Sequence, residues 1–98
     1  MRITKTQNET VLLLALEGRL DTTTAPQLET EVKQSIEGIK ELTLDFSELE
    51  YISSAGLRVL LATQKVMSRQ GTMVLKNVCD DIKEVFDITG FSDILTIE

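Results

Sequence analysis

The sequence has no histidine and no tryptophan, and only one cysteine, one proline, one tyrosine and three phenylalanines in 98 residues. Without histidine the chain lacks the usual general base near neutral pH and the commonest metal ligand, so histidine-dependent catalysis is excluded. The lone thiol, Cys79, can form neither an internal disulfide nor a thiolate zinc cluster. Basic residues are outnumbered as well: ten Lys and Arg face sixteen Asp and Glu, for a formal charge of −6. A phosphate-neutralising surface is therefore not on offer, and nucleic acid and anionic lipid are poor partners. No apolar run approaches the ~20 residues that cross a bilayer, and Met1-Arg2-Ile3-Thr4-Lys5 has no apolar stretch of the secretory kind. The expectation is a cytoplasmic chain with no direct membrane insertion and with Cys79 reduced and buried. No glycine-rich phosphate loop with lysine is present, so nucleotide hydrolysis has no support and no cofactor is expected.

What is present suffices for one core. With 42% hydrophobic and 27% charged residues, residues 1–98 read as a single globular domain. Val11-Leu12-Leu13-Leu14-Ala15-Leu16 is a continuous apolar run, which predicts a central strand covered on both faces and ended by Gly18. Arg2 to Thr6 alternates weakly before a turn-rich Gln7-Asn8-Glu9-Thr10, the pattern of an edge strand in a hairpin. Thr24-Ala25-Pro26-Gln27 resembles a capped helix start. From there Ala25, Leu28, Val32, Ile36 and Ile39 recur at helical spacing up to a terminator at Gly38.

Leu42-Thr43-Leu44-Asp45-Phe46 alternates as a strand, with a loop expected from Ser47 to Ser54. Gly56 to Gln70 reads as a helix burying Val59, Leu60, Thr63, Val66 and Met67, with Leu57 and Leu61 on its border and Arg58, Lys65 and Arg69 largely opposite. Thr72 to Lys76 is a strand. A helix beginning near Asn77 to Asp81 buries Ile82, Val85 and Phe86 and stops at Gly90, and Ile94 to Ile97 completes the set as a last strand. This order predicts an α/β fold: one mixed, mostly parallel sheet of about five strands with helices packed against it.

Ser53 and Ser54 fall where a helix begins. First-turn amides lack helical partners and the helix dipole is positive there, so a phosphate on either hydroxyl would find donors locally. From local pattern alone, a capping serine beside a solvated one is the better explanation of the pair, since serine is a standard cap. A serine hydrolase is excluded, because Ile52 stands where a nucleophile elbow needs glycine and no histidine exists to activate the hydroxyl. A phosphate-receiver domain phosphorylated on Asp45 would need an acidic pair after the first central strand, where the sequence reads Glu17-Gly18-Arg19.

Asp45-Phe46-Ser47, then Ile52-Ser53-Ser54-Ala55-Gly56-Leu57, with Gly18-Arg19-Leu20-Asp21 ahead of the first helix, resembles the STAS family of bacterial anti-sigma factor antagonists over essentially the whole chain. The resemblance places the phosphoacceptor on Ser54, with Ser53 standing where the family carries an aspartate and so competing as acceptor. It implies a switch that is not an enzyme. The unmodified protein binds an anti-sigma factor serine kinase, which frees the sigma factor; phosphorylation releases the antagonist, and a metal-dependent serine phosphatase restores it. Partner contact is expected at Asp21, Ser53, Gly56, Leu57, Arg58, Leu61 and Lys65, and repulsion of the phosphorylated form from acids among Asp21, Asp45, Glu48 and Glu50. The alternative in the same fold is a STAS scaffold or regulatory subunit of a membrane transporter or lipid-trafficking complex that is never phosphorylated.

Overall fold

A hairpin opens the chain. β1 (Arg2–Asn8) pairs antiparallel with β2 (Val11–Leu20) around Glu9-Thr10, where Glu9 takes a φ of 56°. The computed structural model describes residues 1–98 and continues with α1 (Ala25–Ser35), β3 (Glu41–Ile52), α2 (Ser54–Gln70), β4 (Thr72–Lys76), α3 (Asp80–Thr89) and a 3-10 turn at Phe91–Asp93. The strands lie side by side in chain order, with β2–β3 and β3–β4 parallel. No helix is long and apolar enough to cross a membrane.

Alternation shows which side of the sheet is covered. Leu12, Leu14, Leu16, Leu42, Leu44, Phe46, Met73 and Leu75 are buried, while Leu13, Ala15, Thr43 and Val74 between them are only half-buried. The helices therefore pack on one face. The apolar run in β2 is not enclosed on both sides as the sequence suggests, and Val11 is 41% exposed. Twenty-three apolar residues form the core, with Phe86 of α3 packed against Phe46 of β3 at 6.5 Å between ring centres.

Several elements differ from expectation. The sheet has four strands, because Phe91–Asp93 coils into a 3-10 turn and Leu95 buries itself by bonding back to the Phe91 carbonyl; only Ile97 bridges to Leu75. The segment expected as a loop from Ser47 is the second half of β3. There β3 carries one more residue than β2 at two places, between Asp45 and Glu48 and between Leu49 and Tyr51. Each bulge resets which side faces inward, so the buried positions run Leu42, Leu44, Phe46 and then Leu49 and Ile52.

Gly18 does not end β2. It lies inside the strand at φ +105°, next to the second register shift, a conformation that L side chains rarely adopt. Helix α1 stops at Ser35 with Ile36 as its C-cap, so Gly38 serves the turn beyond rather than the helix end. On α2, Val66 is 40% exposed rather than inward, whereas Leu57 is buried. Cys79 is exposed, since Val78 takes the inward position of that extended segment.

Candidate functional site at the start of the second helix

Two chain segments meet at the N-terminus of α2. The Ser53 amide donates to the Leu20 carbonyl at 2.9 Å, joining the end of β2 to the residue before the helix. Gly56 then lies against Leu20: a Cβ on it would sit 2.7 Å from Leu20 Cγ. Only a residue without a side chain allows this approach, which holds the helix start against the strand that leads to Asp21.

Within the first turn the two serines have different duties. Ser53 is the N-cap, in extended conformation, and its Oγ accepts from the Gly56 amide at 3.4 Å. Its carbonyl accepts from Leu57 N–H at 3.0 Å. The amides of Ser54 and Ala55 belong to the first turn and have no i−4 carbonyl within the helix. Ser53 is half-buried, and Ser54, the first helical residue, is exposed.

Asp21 is held by its own turn. Its Oδ1 accepts from the Thr23 and Thr24 amides at 3.0 and 3.1 Å, and Arg19 Nε lies 3.8 Å from Oδ2. The Thr24 amide, the Thr24 hydroxyl, the Thr23 amide and Arg19 together hold this carboxyl below the ordinary aspartate range, against a smaller opposing effect of desolvation. Thr24 holds the N-cap position as the sequence suggests, but its hydroxyl makes no capping bond to the helix: it donates to the Arg19 carbonyl at 2.7 Å and accepts from the Asp21 amide at 2.9 Å. Gln27 reaches the Met1 carbonyl instead of its own helix start.

Of the acids named as sources of repulsion, the fold brings Asp21 to the helix start and leaves Asp45 away from it. At ~3.3 Å per residue, the stretch of β3 between Asp45 and Ile52 separates that carboxylate from the helix start by roughly 20 Å. Asp45 instead accepts from the Asn77 side-chain amide and the Ser47 amide, both at 3.0 Å, which lower its pKa. It also lies within β3 rather than at a strand end, which removes the receiver-like placement. Glu48 and Glu50 are exposed on the bulged half of the same strand.

The residues named for partner contact divide by exposure. Arg58 and Lys65 are exposed and Leu61 is half-buried, while Gly56 and Leu57 face the interior and shape the surface from beneath. Arg19 and Tyr51 were not singled out from the sequence, yet the guanidinium stacks 4.1 Å above the Tyr51 ring beside Asp21. They pair across β2 and β3 only because of the second bulge, and no spacing rule reveals that.

A family profile for the STAS domain matches residues 2–98. The chain belongs to the STAS family. This STAS domain is 32% identical to the anti-sigma-B factor antagonist of Bacillus subtilis, over 93% of the present chain and 84% of that one. It is 39% identical to the anti-sigma-B factor antagonist of Listeria monocytogenes, covering 83% and 73% of the two chains. Among solved structures, the Bacillus protein SpoIIAA in its phosphorylated form superposes with a TM-score of 0.77 at 17% identity, over 99% of this chain and 91% of that one. Its unphosphorylated form gives 0.78, with 99% and 87% covered. At such identity the two superpositions speak for the STAS fold alone.

Proposed function

We propose that this STAS domain is an anti-sigma factor antagonist whose binding is switched by phosphorylation of Ser54. The observation that carries the reading is the contrast between adjacent hydroxyls: Ser53 is committed to the Gly56 amide, and Ser54 is exposed at the first helical position. The names of the Bacillus subtilis and Listeria monocytogenes relatives support the antagonist role. SpoIIAA, which shares the fold, is itself known in phosphorylated and unphosphorylated forms, so a modification is compatible with this fold.

The partner is an anti-sigma factor that is also a serine kinase, and it supplies ATP, magnesium and a base. Ser54 Oγ attacks the γ-phosphorus; the Oγ–P bond forms as the bond to ADP breaks, and the hydroxyl proton passes to the partner's base. This chain contributes the acceptor and no catalytic group. Hydrolysis of the ester by a metal-dependent serine phosphatase restores the binding form, and both reactions place the switch in the cytoplasm. Asp21, Ser53, Arg58, Leu61 and Lys65 form the contact surface, supported by Gly56 and Leu57.

The energetics suffice. A thousandfold loss of affinity needs about 4 kcal/mol, and phosphoserine adds roughly −1.5 to −2 charges. A carboxylate ~6 Å from the phosphate, at an effective dielectric of ~20, contributes about 3 kcal/mol per unit charge before screening. The helix N-terminus favours the added charge, so the fold survives and the interface does not.

Pull-down of the anti-sigma factor by wild type, Ser54→Ala and Ser54→Asp tests the reading. The alanine form should bind at least tenfold more tightly than the aspartate form. Equal binding by the two would refute the switch and favour a scaffold.

A further inference from the structure

Arg58 stands four residues beyond Ser54 on α2. Residues at that spacing share a helix face with their Cβ atoms about 5–6 Å apart, and both of these are exposed. The ion pairs of the chain join Arg19 to Asp21, Lys33 to Glu29 and Lys76 to Glu98, so the Arg58 guanidinium has no carboxylate partner. Glu29 borders the same surface groove between α1 and α2 as Arg58, but its carboxylate lies 3.5 Å from Lys33. Arg19, the other arginine near the site, is already stacked on Tyr51 and drawn to Asp21.

We infer that Arg58 is a built-in receptor for a phosphoryl group on Ser54. The inference rests on the reading of Ser54 as the acceptor. Once the ester forms, the guanidinium folds back one helical turn and binds the phosphate through charge-assisted, bidentate hydrogen bonds. The amides of the first turn approach the phosphate from the other side. Two effects follow from one contact. The phosphorylated helix start gains an ion pair that the unmodified chain does not have. The surface offered to a partner loses a free cation at the same moment, so phosphorylation withdraws an attractive group as well as introducing a repulsive one.

The test needs no kinase. Phosphoserine is installed at position 54 of the full chain by genetic-code expansion, and its second ionisation is followed by 31P NMR titration in wild type, Arg58→Gln and Arg58→Lys. A free phosphoserine titrates near pH 6, and a neighbouring opposite charge favours the dianion. The wild-type midpoint should lie about half a pH unit or more below that of Arg58→Gln, with Arg58→Lys between them, and the gap should shrink in 1 M salt as an exposed pair is screened. The rise in Tm on phosphorylation should likewise be smaller in Arg58→Gln. Coincident midpoints for wild type and Arg58→Gln overturn the clamp, whatever the pull-downs report. A partner indifferent to Ser54 overturns the switch and leaves the midpoints unchanged, so the two failures are distinguishable.

Discussion

Replacing Gly56 by alanine sets two effects of known size against each other. Alanine is favoured over glycine in a helix by about 1 kcal/mol. The added Cβ would lie 2.7 Å from Leu20 Cγ, 3.0 Å from Ile52 Cγ1 and 3.1 Å from Leu20 Cδ2. Both neighbours are core residues, Leu20 at 0% and Ile52 at 5% exposure, with no solvent to move into. Overpacking of this kind costs about 1–3 kcal/mol, so the net expectation is a loss of roughly 0–2 kcal/mol. Strain is relieved only by moving the helix start off Leu20, which stretches the 2.9 Å bond from Ser53 N–H to the Leu20 carbonyl. Urea unfolding should show a lower midpoint at unchanged slope, and each 1 kcal/mol lost should lower Tm by about 4–8 °C. Leu20→Ala, which removes Cγ and Cδ2, should cost less stability in the Gly56→Ala background than in wild type, as residues in direct contact couple. A Gly56→Ala protein more stable than wild type by about 1 kcal/mol would show that the contact is slack and refute the reasoning.

Ser53→Ala should cost about 0.5–1 kcal/mol in urea unfolding, near the low end for a lost N-cap because its bond to Gly56 is long; a loss above 2 kcal/mol would mean the hydroxyl does more than cap. The Asp45 carboxyl is held low first by the Asn77 side-chain amide and then by the Ser47 amide. A depressed carboxyl contributes stability above its unfolded pKa and loses it as pH falls through the folded one. Asn77→Gly, which removes the amide and tolerates φ 58°, should therefore raise the Asp45 midpoint by 13C NMR and reduce its contribution above about pH 4. An unmoved midpoint would leave the Ser47 amide and hydroxyl as the causes. Phe86→Ala, at a site with 0% exposure against Phe46, should cost about 3–5 kcal/mol, and a loss below 1.5 kcal/mol would show that α3 contributes little to the core.

Where periodicity is regular, the chain is readable. The alternation from Leu42 to Phe46, the helical stripe through Val59, Leu60, Thr63 and Met67, and the positive φ of the α3 cap at Gly90 all follow from spacing or residue type. The second half of β3 is not readable, since two bulges replace a period of two with buried residues three apart, the pattern of neither a strand nor a helix. Leu13 and Val11 mislead for another reason: an apolar run cannot tell whether helices will cover one face or both. At the candidate site, Ser53 and Ser54 are visible as a helix start, and the division of labour between them is settled by which hydroxyl faces the Gly56 amide. The stack of Arg19 on Tyr51 depends on cross-strand register and leaves no trace in either segment alone.

Because every strand lies next to its predecessor in the chain, the sheet can be laid down in the order of synthesis, with no earlier gap waiting for a later strand. Chains are made at about 5–20 residues per second and tend to fold from the N-terminus, and pairings between successive segments form fastest. On a ribosome, the hairpin and β3 would already be joined when α2 begins to emerge. The hydroxyl that carries the proposed switch would thus reach its place before α3 has emerged to close the core.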